Sequence, residues 1–155
     1  MVQDTTLGMV IAWIESNDNK QAIRFEPGIH EKIHTRMFGD KIITNIRAIH
    51  KCTYETAAII YSSSFGKYQI MGNALYDPQF IDQKITIFSY CGINDAANVA
   101  QDTDFYTFTK HRGISFSVRE LLELTNRQKF ALHYNGSLNY ADNIEKSLQH
   151  FGVNH

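Results

Sequence analysis

Apolar residues recur at i, i+3, i+4 and i+7 near the start of the chain, at Leu7, Val10, Ile11 and Ile14. That stripe predicts an amphipathic helix with one buried face. Asp4 or Thr5 is placed to cap it, and the turn-rich stretch 16-SNDN-19 to end it. The period then shortens. In 22-AIRFE-26, Ile23 and Phe25 share one face and Arg24 and Glu26 the other, which predicts a short strand, half of a small hairpin. Pro27-Gly28 breaks the strand, and Pro27 suits the first turn of a helix running to about Phe38.

Helical periodicity returns at Ile42, Ile43, Ile46 and Ile49, and again from Ala57 to Ile60. The serine run 62-SSSFG-66 reads as a loop, and 67-KYQIMGNALY-76 as the start of another helix, punctuated by Asp77-Pro78. Two or three more helices are expected over residues 78–111, with Gly92 and Gly113 as breaks. Ser117 to Glu120 has capping-box spacing ahead of Leu121, Leu122 and Leu124. A further helix should hold Phe130, Ala131 and Tyr134 and stop at Gly136, and the last carries Ile144, Leu148 and Phe151. The prediction is one mainly α domain over residues 1–155, with a minor β element near residues 20–26.

Composition narrows the class. At 155 residues, 43% hydrophobic and 20% charged, the chain is ordinary for a globular protein with one core. A net charge of -1 without a block of like charge gives no basis for non-specific capture of nucleic acid or anionic membrane. Cys52 and Cys91 have neither redox nor zinc-finger spacing; free thiols are expected, a single disulfide being the alternative. The apolar run Leu7–Ile14 follows Asp4 rather than a basic region and is too short to span a bilayer. A protein made in a cytoplasm without an export signal is expected.

One motif invites a metal. His30-Glu31-Lys32-Ile33-His34 has the H-E-x-x-H spacing that sets two imidazoles on one helical face for zinc, with the glutamate as general base. Its context argues against a zinc peptidase. Pro27-Gly28 places His30 in a first turn, and Lys32 puts a cation beside the would-be dication. No third ligand stands out; Glu55 is available but without a recognisable setting. A surface helix with Glu31 and Lys32 in water and Ile29 and Ile33 turned inward accounts for the same residues. No metal site and no cofactor are expected.

Three quieter segments carry more. Glu15 sits at the end of the first helix, at the edge of its apolar stripe. Partial desolvation there would raise its pKa and favour the protonated form, as a general acid requires near neutral pH. In 63-SSFGKYQIMG-72, Gly66 lets backbone approach a ligand, and Gln69 could offer an amide. In 134-YNG-136, Tyr134 and Asn135 fall at a helix end, either as capping or as a phenol and an amide facing a cleft, one of them touching the acid.

Together these segments resemble the lysozyme-like superfamily of lytic transglycosylases and goose-type lysozymes. The shared pattern is Glu15-Ser16, then Gly66-Lys67-Tyr68-Gln69-Ile70-Met71, then Tyr134-Asn135-Gly136. The chain is most similar to the phage N-acetylmuramidase family of endolysins and virion-associated lysins. Further matches to that family are Ile23 to Glu26, Ser64 to Gly72, and Tyr134 to Tyr140.

The resemblance implies an α+β lysozyme-like fold and cleavage of the β-1,4 bond between N-acetylmuramic acid and N-acetylglucosamine in a peptidoglycan strand. It implies Glu15 as the acid, with Ser64, Gln69, Tyr134 and Asn135 shaping the sugar site. Glu26 is the first candidate for a second carboxylate that places water, ahead of Asp18 and Asp40. The alternatives are a lytic transglycosylase, in which the sugar's own C6 hydroxyl attacks, and a lysozyme-like virion protein without activity. The implied place of action is the periplasmic cell wall, reached at lysis or in a virion alongside other phage proteins.

Overall fold

The computed structural model describes residues 4–36 and 39–155; Phe38, the expected end of the second helix, lies outside them. Among the described residues are nine α-helices and a three-stranded antiparallel sheet of order β1-β2-β3. This is the mainly α arrangement with a minor sheet that the periodicity predicts.

The first helix, α1, covers Leu7–Ser16 and is capped by Thr6, one residue beyond the expected cap, whose side chain accepts from the Met9 N–H. Val10 and Ile11 are fully buried on its apolar stripe. The strand β1, Ile23–Phe25, is followed by α2 (Pro27–Arg36), α3 (Asp40–His50) and α4 (Tyr54–Tyr61). Ile33 on α2 and Ile43 and Ile46 on α3 are buried to 1% exposure or less, so these two helices turn their predicted faces inward. The remaining helices are α5 (Gly72–Leu75), α6 (Ile87–Tyr90), α7 (Asp95–His111), α8 (Leu124–Tyr134) and α9 (Tyr140–His150). The Ser117–Glu120 capping box forms with both reciprocal bonds, but it opens a short 3-10 turn, Glu120–Leu122, ahead of α8.

Three expectations about the sheet are overturned. The serine run is not a loop: Ser63–Phe65 is the central strand β2, fully buried, and Ile70–Met71 is β3 rather than helix. The strand β1 is not half of a local hairpin either; it pairs with β2, Arg24 opposite Ser64. Ile23 and Phe25, which share one face of β1, are 60% and 44% exposed. An edge strand of three residues has too little neighbouring surface on either face to cover them.

Two glycines are fixed by close approach. Gly66, at φ +77°, begins the turn between β2 and β3, and a Cβ there would lie 2.6 Å from the Gln101 side chain. Gly72 starts α5 where a Cβ would meet the Ile60 carbonyl at 2.0 Å. Cys52 and Cys91 are both free, and burial pushes the Cys91 thiol up to about 11. Among the described residues no helix is long and apolar enough to cross a membrane.

Candidate active site

Glu15 lies in the last turn of α1, which ends because Asn17 and Asp18 adopt left-handed backbone, at φ 54° and 61°. The following helix end is pinned from outside: Ser16 Oγ donates to the Lys67 carbonyl at 2.8 Å and accepts from the Asn19 N–H at 2.9 Å. On the other side α9 packs along α1, with Ser147 Oγ donating to the Val10 carbonyl and Trp13 stacked on His150. This packing brings Tyr140, the first residue of α9, over Glu15. Its hydroxyl donates to Glu15 Oε1 at 2.5 Å.

Burial raises the pKa of Glu15, with Tyr140's hydrogen bond and the charge of Arg24 opposing it more weakly. The negative end of the α1 dipole acts in the same direction as burial. Tyr140 is buried, and both burial and the charge of Glu15 hold its phenol well above the ordinary tyrosine range. It is therefore a fixed donor, and Glu15 a carboxyl biased toward its protonated form yet supplied with a partner for its anion.

The turn whose Lys67 carbonyl accepts from Ser16 is held by several further contacts. Lys67 is buried and paired with Asp102 at 2.7 Å, and Tyr68 donates to the same carboxylate at 2.5 Å. The fully buried Gln101 accepts from the Lys67 N–H and donates to the carbonyls of Lys20 and Tyr90. Tyr134 donates to the Tyr68 carbonyl at 2.6 Å and stacks against Tyr140 with ring centroids 6.1 Å apart. The phenol that touches the acid is thus that of Tyr140, and not Tyr134 or Asn135. Asn135 caps α8 through its backbone N–H and is exposed.

Ser64 and Gln69 bond to each other. Ser64 Oγ donates to Gln69 Oε1 at 2.8 Å. Gln69, itself in left-handed backbone at φ 51°, donates to the carbonyls of Gly66 and Ala22. Its amide closes the β2–β3 turn and ties it to the chain just before β1. A cavity of about 130 Å³ opens beside this turn, lined by Gln69, Met71, Asn73, Arg112 and Tyr134 among others.

Glu26 follows β1, its N–H donating to the Ser62 carbonyl and its carboxylate paired with Arg24 Nε at 2.6 Å. Arg24 also acts on Glu15, so the two carboxyls share one guanidinium as an electrostatic neighbour. Asp18 and Asp40 are both exposed, Asp18 in the turn after α1 and Asp40 at the start of α3.

Over 151 residues the chain is 38% identical to the endolysin of Enterobacteria phage PRD1, covering 96% of this chain and 97% of that protein. The chain belongs to the phage endolysins. No family model matches it, and no solved structure does.

Reading residue by residue missed two supports of this candidate site. Tyr140 falls in the segment that carries the resemblance, yet its contact with Glu15 joins residues 125 apart in sequence. Gln101 has no local signal beyond a polar residue on the inner face of a helix; only the buried carbonyls of other segments give it a purpose.

Proposed function

We propose that this endolysin is an N-acetylmuramidase, cleaving the β-1,4 bond between N-acetylmuramic acid and N-acetylglucosamine in peptidoglycan. The observation that carries this reading is Glu15: a carboxyl at a helix end, raised in pKa by burial and held by a phenol that cannot take its proton. Such a group donates a proton to a leaving oxygen near neutral pH, which is the acid step of glycoside cleavage. In the proposed reaction, Glu15 protonates the glycosidic oxygen as its bond to the muramic C1 breaks. Tyr140 and Arg24 then stabilise the carboxylate left behind. Glu26 takes a proton from water attacking C1 from the opposite face, giving inversion. Tyr134 and the cavity beside it would receive part of a sugar, while Ser64 and Gln69 hold the turn that forms its wall.

A second reading is favoured by one contact. The Glu26 carboxylate is committed to Arg24, so the sugar's C6 hydroxyl can replace water as the nucleophile and leave a 1,6-anhydro product. Mass spectrometry of fragments from purified peptidoglycan separates the readings: reducing muramic ends mean hydrolysis, 1,6-anhydro ends transglycosylation. The same digest run with EDTA should be unchanged. Peptide-bond products abolished by EDTA would overturn both readings, and no products from any Gram-negative wall would favour a virion protein without activity.

A further inference from the structure

The H-E-x-x-H motif, set aside on its sequence context, acquires a third member in the fold. His30 and His34 lie one turn apart on α2, with His30 Nε2 and His34 Nε2 separated by 3.3 Å. Glu55, in the first turn of α4, brings one carboxylate oxygen to 2.8 Å from His30 Nε2 and the other to 3.2 Å from His34 Nε2. Among the described residues this is the group of histidine, cysteine and acidic side chains whose ligand atoms converge within 4.8 Å. The expectation that no third ligand has a setting is therefore corrected: the close packing of α2 on α4 supplies it.

The three contacts cannot all be hydrogen bonds. A neutral imidazole carries one proton on one of its two nitrogens. If both Nε2 atoms are protonated, each donates to Glu55, but two N–H groups then face each other across 3.3 Å. If one is bare, it accepts from the other histidine, but its lone pair then faces the carboxylate. A cation at the centre satisfies all three at once. Around a tetrahedral zinc, with bonds of about 2.0–2.2 Å, neighbouring ligand atoms are about 3.3–3.6 Å apart. The histidine pair already has that spacing, and the carboxylate needs only a small outward shift from an exposed position. The Phe25 and Tyr54 rings sit in T-shaped arrangement with His30 and His34 respectively, at centroid separations of 5.5 and 6.3 Å.

We propose that His30, His34 and Glu55 bind one late first-row divalent cation, of which zinc is the type, with water completing the tetrahedron. Two imidazoles and one carboxylate favour such an ion over calcium or magnesium, which prefer all-oxygen shells. The ion would clamp α2 to α4 immediately after Glu26, whose carbonyl accepts from the N–H groups of Ile29 and His30. The site stands whether or not the glycosidase reading holds.

The test is equilibrium dialysis of the untagged chain against ZnCl2, with bound metal counted by mass spectrometry, beside melting curves with and without zinc. Wild type should bind one zinc per chain, and its Tm should rise by about 5–10 °C at a hundredfold excess over Kd. Glu55→Gln and, separately, His34→Gln alter exposed side chains and should keep the wild-type Tm without metal. Loss of a mere outer-shell partner weakens metal sites by about 10–100-fold, so each variant should bind at least tenfold more weakly and lose the Tm rise. MgCl2 should do nothing to any of them. No stoichiometric zinc in the wild type, or equal zinc binding in both variants, would overturn the proposal.

Discussion

Tyr140→Phe isolates the partner of Glu15 without moving the acid. Phenylalanine keeps the buried ring and its stacking on Tyr134, and removes only the hydroxyl that donates at 2.5 Å to Glu15. A hydrogen bond to a charged group contributes about 1.5–3 kcal/mol. In the transition state the proton has only partly left Glu15, so about half of that is at stake, a loss of about 4- to 12-fold in kcat/KM. The pH profile should move as well. Tyr140 lowers the Glu15 pKa against the larger effect of burial; without it burial is less opposed, and the alkaline limb of activity should shift to higher pH. Thermal stability should fall by no more than about 1 kcal/mol, or about 2–4 °C in Tm. The assay is release of soluble fragments from purified peptidoglycan across the pH range, beside a melting curve. An unmoved alkaline limb would refute the reasoning, because Glu15 would then not be the group that titrates there. A loss beyond a thousandfold with an intact fold would refute it differently, by making Tyr140 a direct participant.

Three further outcomes follow from named contacts. Glu26→Gln removes half of an exposed ion pair worth about 0–1 kcal/mol, so Tm should barely move; hydrolytic products should fall by about 10²–10⁴-fold if Glu26 activates water, and persistence of full hydrolysis in the folded variant would make Glu26 structural. Gly66→Ala forces a Cβ into Gln101 at a left-handed position and should cost at least about 2 kcal/mol, read as a fall of about 4–8 °C in Tm; an unchanged Tm would show that the turn relaxes freely. Asp104 is buried, and desolvation raises it to about 6 despite a hydrogen bond from Gln83. Its folded pKa exceeds its unfolded one, so the stability it contributes is present in acid and lost as pH rises through about 6. Asp104→Asn should therefore melt higher than wild type at pH 8, by up to about 3 kcal/mol, with the gap closing toward pH 4; a gap of equal size at both pH values would contradict that linkage.

Periodicity was a sound guide wherever a helix buries one face. The stripes on α1 and α3 fall on buried or half-buried positions, and Gly136 ends α8 with φ +82°. It failed at the sheet because β2 and β3 are defined by partners, not by their own pattern. Three serines in a row carry no alternation, and the helix-like stretch after Gly66 is turned into β3 by Gln69, whose left-handed backbone and three side-chain bonds close the turn. The same limit explains the site. Glu15 was legible as the edge of an apolar stripe, and Arg24 beside Glu26 as residues sharing a strand face. Tyr140 over Glu15, Gln101 under the turn and Glu55 beside two histidines depend on packing between elements, which no local spacing records. The exposure of Ile23 and Phe25 marks a further limit: alternation separates the two faces of a strand but does not record whether either face has anything to cover it.

The proposed chemistry rests on Glu15 as the proton donor, and Glu15→Gln tests it most directly. Glutamine keeps the shape and an oxygen for Tyr140 but has no proton to give. Because burial raises the Glu15 pKa in the folded state, the wild-type carboxylate lowers stability as pH rises through that pKa. The variant should accordingly melt no lower than wild type at neutral pH. Fragment release from purified peptidoglycan by the folded variant should drop by about 10²–10⁴-fold. Release within a few-fold of wild type, with the melting curve intact, would contradict the assignment of Glu15 and with it the proposed chemistry.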